Sequence, residues 1–158
     1  MAENNSKLSF TNARLLAVQT IYAHMMGDED WNKLMSRGLL GELGGKALTE
    51  ENGTEKYVAL PAADAGLYTR VVDAYRENAD DIDNAIRTSL TEKISFDRLD
   101  PTFLCILRAG MAEFYADSET AASIIINEYV DLTRAFYEGS EIKIANAMLD
   151  RFSKVIRG

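Results

Sequence analysis

The chain has 158 residues, 47% of them hydrophobic, and 17 lysines and arginines against 25 aspartates and glutamates give a formal charge of -8. That length and composition fit one folded domain and exclude wholesale disorder, while a lone cysteine, Cys105, excludes an internal disulfide and a cysteine-rich zinc site. No apolar run approaches the roughly 18 residues of a membrane-spanning helix, and Met1-Ala2-Glu3-Asn4-Asn5-Ser6 lacks a signal-peptide layout, so a cytoplasmic protein without membrane contact is expected.

Apolar residues recur at three- and four-residue steps and prolines occur only at Pro61 and Pro101, which favours helix throughout. Helices are predicted over about 11–26, introduced by Ser9 or Thr11, and over about 31–40, 62–78 and 81–90. Between Gly38 and Pro61, Gly38, Gly41, Gly44, Gly45 and Gly53 punctuate weakly periodic sequence, read as a flexible connection over 38–61. Asp100-Pro101 marks a helix start: the aspartate can accept from free backbone N–H groups and proline suits the first helical position. Leu104, Leu107, Met111 and Phe114 follow on one face. The next helix begins near Asp117 or Ser118, carries Ala122, Ile126, Tyr129, Val130 and Thr133 on one side, and ends before Gly139. In the last, Ile142, Ala145, Leu149, Phe152 and Ile156 form a single apolar stripe, with Arg151, Lys154 and Arg157 largely off it. The expected fold is all-α, a compact bundle of about seven helices. Residues of about 8–90 and about 100–157 form N- and C-terminal helical groups within one domain, since either alone would leave an apolar face unburied.

Polar residues inside these helices need partners, because an unpartnered buried polar group costs a few kcal/mol. Arg108 lies beside Leu107, Glu128 follows three isoleucines, and Asn146 interrupts the C-terminal stripe. Arg108 is expected to pair with Glu128 or Asp150 and Asn146 to bond a neighbouring backbone, a network fixing how the last three helices cross; the other reading is that some of these groups reach a partner surface. Cys105 sits among apolar neighbours as a small hydrophobe, and His24 is the only histidine. No nucleophile with its base, metal cluster or glycine-rich phosphate loop accompanies the charged groups, so the expectation is a protein that is not an enzyme and takes no cofactor or metal.

Three phrases of the C-terminal half set polar residues at fixed points in apolar helices: Ile106-Leu107-Arg108-Ala109 with Ala112-Glu113-Phe114, Ile126-Asn127-Glu128-Tyr129-Val130-Asp131-Leu132, and Ile144-Ala145-Asn146-Ala147-Met148-Leu149-Asp150. With Arg14 and Ala17-Val18-Gln19-Thr20-Ile21-Tyr22 near the N-terminus, they resemble the NusB family of bacterial transcription antitermination factors. The resemblance implies two helical subdomains packed on each other. It also implies an adaptor that joins a NusE-like ribosomal protein and boxA-like single-stranded RNA to the RNA polymerase antitermination complex during ribosomal RNA synthesis. It assigns Glu113, Phe136 and Ile144 to the surface that meets the NusE-like protein, where Ala109, Gly110 and Ala112 would let another chain approach closely. For Phe136 and Ile144, packing between the last two helices is the alternative.

The same family binds RNA through an arginine-rich opening of the first helix. Here Arg14 matches one of those arginines, whereas Phe10, Thr11 and Asn12 stand where others belong. Each lost phosphate contact lowers salt-dependent affinity, so RNA binding is expected to be weak or partner-dependent, resting on Lys7, Arg14, Gln19 and Tyr22. Gln19 can hydrogen-bond base edges and Tyr22 can stack on an unpaired base. Against this, Lys7 can be a solvated tail residue and the other two ordinary packing. Two alternatives stay open. One is an RNA-recognition module related to ribosomal RNA cytosine methyltransferases, disfavoured because no glycine-rich strand-turn-helix for S-adenosylmethionine occurs up to Gly158. The other is a protein-binding helical module without RNA binding, to which the acidic balance and depleted arginines point.

Overall fold

The first helix begins earlier than its apolar periodicity indicated: α1 runs Ala2–Gly27, so Ser9 and Thr11, read as helix starters, lie inside it. Asp28 ends it at a φ of 50°, where a short polar side chain is tolerated, with its N–H on the His24 carbonyl at 2.8 Å. Helix α2, Trp31–Leu39, is capped by Asp30, whose carboxylate accepts from the Lys33 N–H at 3.1 Å. This computed structural model describes residues 2–43, 46–51, 54–59, 62–91 and 94–158, with side chains in 7–43, 62–91 and 94–158.

The stretch read as a connection holds regular structure. Strands β1 (Lys46–Glu51) and β2 (Thr54–Ala59) pair antiparallel, with Lys46 opposite Ala59 and Glu51 opposite Thr54. Gly44, Gly45, Gly53 and Pro61, part of the reason for that reading, lie outside the described residues.

Helix α3, Ala65–Ser89, joins what were predicted as two helices. Asp64 caps it, accepting from the Leu67 N–H at 2.8 Å. The predicted boundary survives as a kink: Asn78 leaves the helical region at φ -123° and ψ 20°, while its side-chain amide donates to the Ala74 carbonyl at 2.8 Å. The described chain therefore has six α-helices and a short 3₁₀ turn, Phe96–Arg98, in place of about seven helices.

Helices α4 (Pro101–Ala116), α5 (Ala122–Phe136) and α6 (Ser140–Arg157) pack on one another. Every residue from Phe103 to Phe114 on α4 is buried, the pattern of a helix enclosed on all sides. On α6 the buried set is Ala145, Met148, Leu149, Phe152 and Ser153, close to the predicted stripe. Arg157 does more than complement a helix end: its guanidinium donates to the carbonyls of Asp117 and Thr120 and lies 5.3 Å from the Phe114 ring centroid.

Two compact units divide the chain, Met1–Thr69 and Arg70–Gly158, with the division inside α3. In the first unit, Ala13, Leu16, Ala17, Val18 and Ile21 of α1 are buried, as are Leu34 and Met35 of α2 and Leu67 and Tyr68 of α3. A bond of 2.7 Å between the Thr20 and Tyr68 hydroxyls sits among them, and a Cβ on Gly38 would come within 2.5 Å of the Tyr68 oxygen. In the second unit, α4, α5 and α6 supply most of the buried side chains, with Val71, Val72, Ile82 and Ile86 from α3.

Candidate functional site

On α1 the buried and accessible faces part company with the expected grouping. Arg14 was expected to bind RNA together with Lys7, Gln19 and Tyr22, but it is only 7% exposed, and Val18 one turn on is buried. At about 100° per residue, the accessible face is instead centred near Leu8, Leu15, Gln19, Tyr22 and Met26. Lys7 is exposed at its edge, and Gln19 and Tyr22 are both half-buried and lie about 60° apart around the axis. Leu8 and Met26 add exposed apolar area to it, whereas exposed Phe10 lies on the opposite side of the helix. This face can offer one cation, one amide and one phenol ring beside apolar surface, suited to stacking and base-edge contacts more than to gripping phosphates. Beyond α1, His24 stacks on Trp31 with ring centroids 3.8 Å apart and planes 9° from parallel.

In the second unit, two of the three partner residues are accessible. Phe136, at the end of α5, is 53% exposed, and Ile144 is half-buried on the first turns of α6. Glu113 is not on a surface: it is wholly buried, and its carboxylate accepts from the Tyr129 hydroxyl at 2.7 Å. The small residues beside it likewise serve this chain rather than another. A Cβ on Gly110 would meet Leu149 Cδ2 at 3.0 Å and Tyr129 Cγ at 3.2 Å, so the glycine lets α5 and α6 close onto α4.

The expected polar network is rewired. Arg108 forms a two-pronged ion pair with Asp83 of α3, Nε to Oδ1 at 2.9 Å and a terminal guanidinium nitrogen to Oδ2 at 3.1 Å, in place of Glu128 or Asp150. Asp150 is exposed beside Lys154 at 3.1 Å, Asn146 is exposed, and Glu128 is half-buried. The reason is helical phase: once Ala145 and Leu149 face inward, their next neighbours Asn146 and Asp150 turn about 100° away. Arg108 also lies 5.4 Å from the Tyr75 ring centroid and 5.8 Å from that of Phe96. Burial raises the Tyr75 hydroxyl far above its ordinary range, outweighing the Arg108 charge beside it, so it stays protonated. This cluster is closed and structural, and Asp83 was found by nothing in the sequence beyond its place in an acidic run.

Neither unit assembles a catalytic constellation among the described residues. Burial pushes the Cys105 thiol up to about 11, against the pull of nearby Arg108, so no thiolate nucleophile is available near neutrality. No group of three or more His, Cys, Asp or Glu residues there is placed to hold a metal ion. No described helix is long and apolar enough to cross a membrane.

Residues 11–154 match the NusB family. A transcription antitermination protein NusB of Sphingopyxis alaskensis is 32% identical, the match covering 98% of each chain. One from Rhodospirillum rubrum is 33% identical over 92% of this chain and 83% of its own length. Among solved structures, T. maritima NusB superposes with a TM-score of 0.68 at 21% identity, covering 91% of this chain and 89% of that one. A crystal structure of antitermination factors NusB and NusE in complex with dsRNA also gives 0.68, at 19% identity, covering 92% and 96%.

Proposed function

The chain belongs to the NusB family, and on that premise we propose that it is a transcription antitermination adaptor. It joins a NusE-like ribosomal protein, through Phe136 and Ile144, to boxA-like RNA, through the accessible face of α1. It works in the cytoplasm on the RNA polymerase antitermination complex, as a scaffold with no chemical step of its own. The observation that carries the reading is the pairing of family membership with a largely exposed aromatic, Phe136, at the α5–α6 turn. Glu113 contributes from within, by holding Tyr129 of α5 against α4.

On the RNA face, Lys7, Gln19 and Tyr22 make the direct contacts, since Arg14 is buried. With one exposed cation there and a chain charge of -8, the protein alone binds RNA weakly, and a basic partner supplies the missing charge. The test is an anisotropy titration of labelled boxA-type RNA with this protein, the NusE-like protein, and the two premixed. The premixed pair is expected to bind more tightly than either alone. Tyr22→Ala should weaken it roughly 5- to 150-fold, the range for one base–aromatic stack of about 1–3 kcal/mol. A mixture no better than the NusE-like protein alone sinks the RNA face and leaves a protein-binding module.

A further inference from the structure

Asp100 breaks a local rule. It stands at the N-cap of α4 with Pro101 at the first helical position, the arrangement in which an aspartate normally accepts from the free N–H groups of its own helix. Its side chain makes no such bond, and its carboxylate instead accepts from the Tyr137 hydroxyl, 37 residues away. A carboxylate turned away from its own helix end marks a site where another demand outweighs the local one.

What the bond holds is the exit from α5. Tyr137 is the C-cap residue, extended at φ -136° and ψ 152°, and its N–H donates to the Thr133 carbonyl at 2.9 Å. Its ring packs edge-on against buried Phe103 of α4, with centroids 5.7 Å apart and planes at 71°. The Phe136 ring lies beside it, with centroids 6.4 Å apart and planes at 50°. Tyr137 is thus held to α4 through its hydroxyl and its ring, and the exposed Phe136 ring adjoins it. Burial and the Asp100 bond raise the hydroxyl far above its ordinary range, so it remains a donor at any working pH.

We propose that the Asp100–Tyr137 hydrogen bond is a clasp that presents Phe136 to the protein partner, making Asp100 and Tyr137 positioning residues of that surface. The partner is a basic protein with an apolar pocket: of the charged residues near Phe136, exposed Asp100 and Glu138 and half-buried Glu141 outweigh exposed Lys143 and exposed Arg134, the latter already paired with Asp131 at 2.9 Å. This rests on the reading of Phe136 as a partner residue. An aromatic anchor is effective when its rotamer and backbone are set before binding, because less freedom is then lost on association.

The test is titration of the full-length chain and its variants with the purified NusE-like ribosomal protein, with thermal melting recorded alongside. Phe136→Ala should weaken binding at least tenfold. Tyr137→Phe, which keeps the ring and deletes only the hydroxyl, should weaken it about three- to tenfold, and Asp100→Ala should match it. Asp100→Asn, whose carbonyl can still accept, should stay within about twofold of the parent chain. In the Phe136→Ala background, Tyr137→Phe should add nothing, whereas a bond that merely stabilised the fold would add its cost there too. If Tyr137→Phe and Asp100→Ala bind like the parent while Phe136→Ala is weakened, the clasp is wrong and the partner surface stands. If Phe136→Ala binds like the parent, the surface reading fails and takes the clasp with it.

Discussion

Arg108 and Asp83 show what a buried ion pair demands of its neighbours. Their side chains are 11% and 17% exposed, so removing one partner takes a close counter-charge from a group that meets little water. Arg108→Ala or Asp83→Ala should each cost about 3 kcal/mol in urea unfolding, near the low end for buried pairs because an edge of each side chain meets solvent. The double variant should cost clearly less than the sum of the singles, which a denaturation series on all three would reveal. Cys105 lies beside the same arginine and gives a pH prediction with a defined sign. Its folded thiol is raised to about 11, above the roughly 8.5 of an unfolded cysteine. Its contribution to stability is complete below about pH 8.5 and is lost as pH climbs through 11, because the unfolded chain ionises first. Cys105→Ala should flatten that alkaline loss, and the native thiol should resist alkylation at neutral pH while the urea-unfolded thiol reacts.

Among the elements, α4 depends most on a single small residue. At Gly110 a methyl would sit 3.0 Å from Leu149 and 3.2 Å from the rooted end of the Tyr129 ring. Overpacking of that kind costs about 1–3 kcal/mol, against about 1 kcal/mol regained by replacing glycine inside a helix. Gly110→Ala should therefore lower the melting temperature despite its better helix propensity, and melting curves will show which term wins. Periodicity made α4, α5 and α6 legible because each buries a continuous stripe or, for α4, a whole surface. It divided α3 at the correct place but into two helices: apolar spacing registers the change of direction at Asn78, while the side-chain bond to Ala74 that accompanies the kink leaves no periodic trace. The β1–β2 hairpin escaped because neither strand shows strict alternation, and strand pairing is settled by the partner strand more than by either segment.

For the whole molecule, a charge of -8 spread over two compact units makes RNA affinity a property of the assembly. Run across salt, the same RNA titration should give a shallow slope of log affinity for the chain alone and a steeper one for the premixed pair, because released counterions follow the number of cations at the phosphates. The sequence by itself determined the helical class, the buried stripes and the family, since apolar period and residue identity are local properties of a chain. Only the tertiary structure decided that Arg108 pairs with Asp83, that Glu113 and Arg14 are buried, that Gly110 serves α5 and α6, and that Asp100 leaves its own helix for Tyr137. Each of those depends on the phase of one helix against another, a few tens of degrees that move a side chain from solvent to core, and no spacing within a single helix records it.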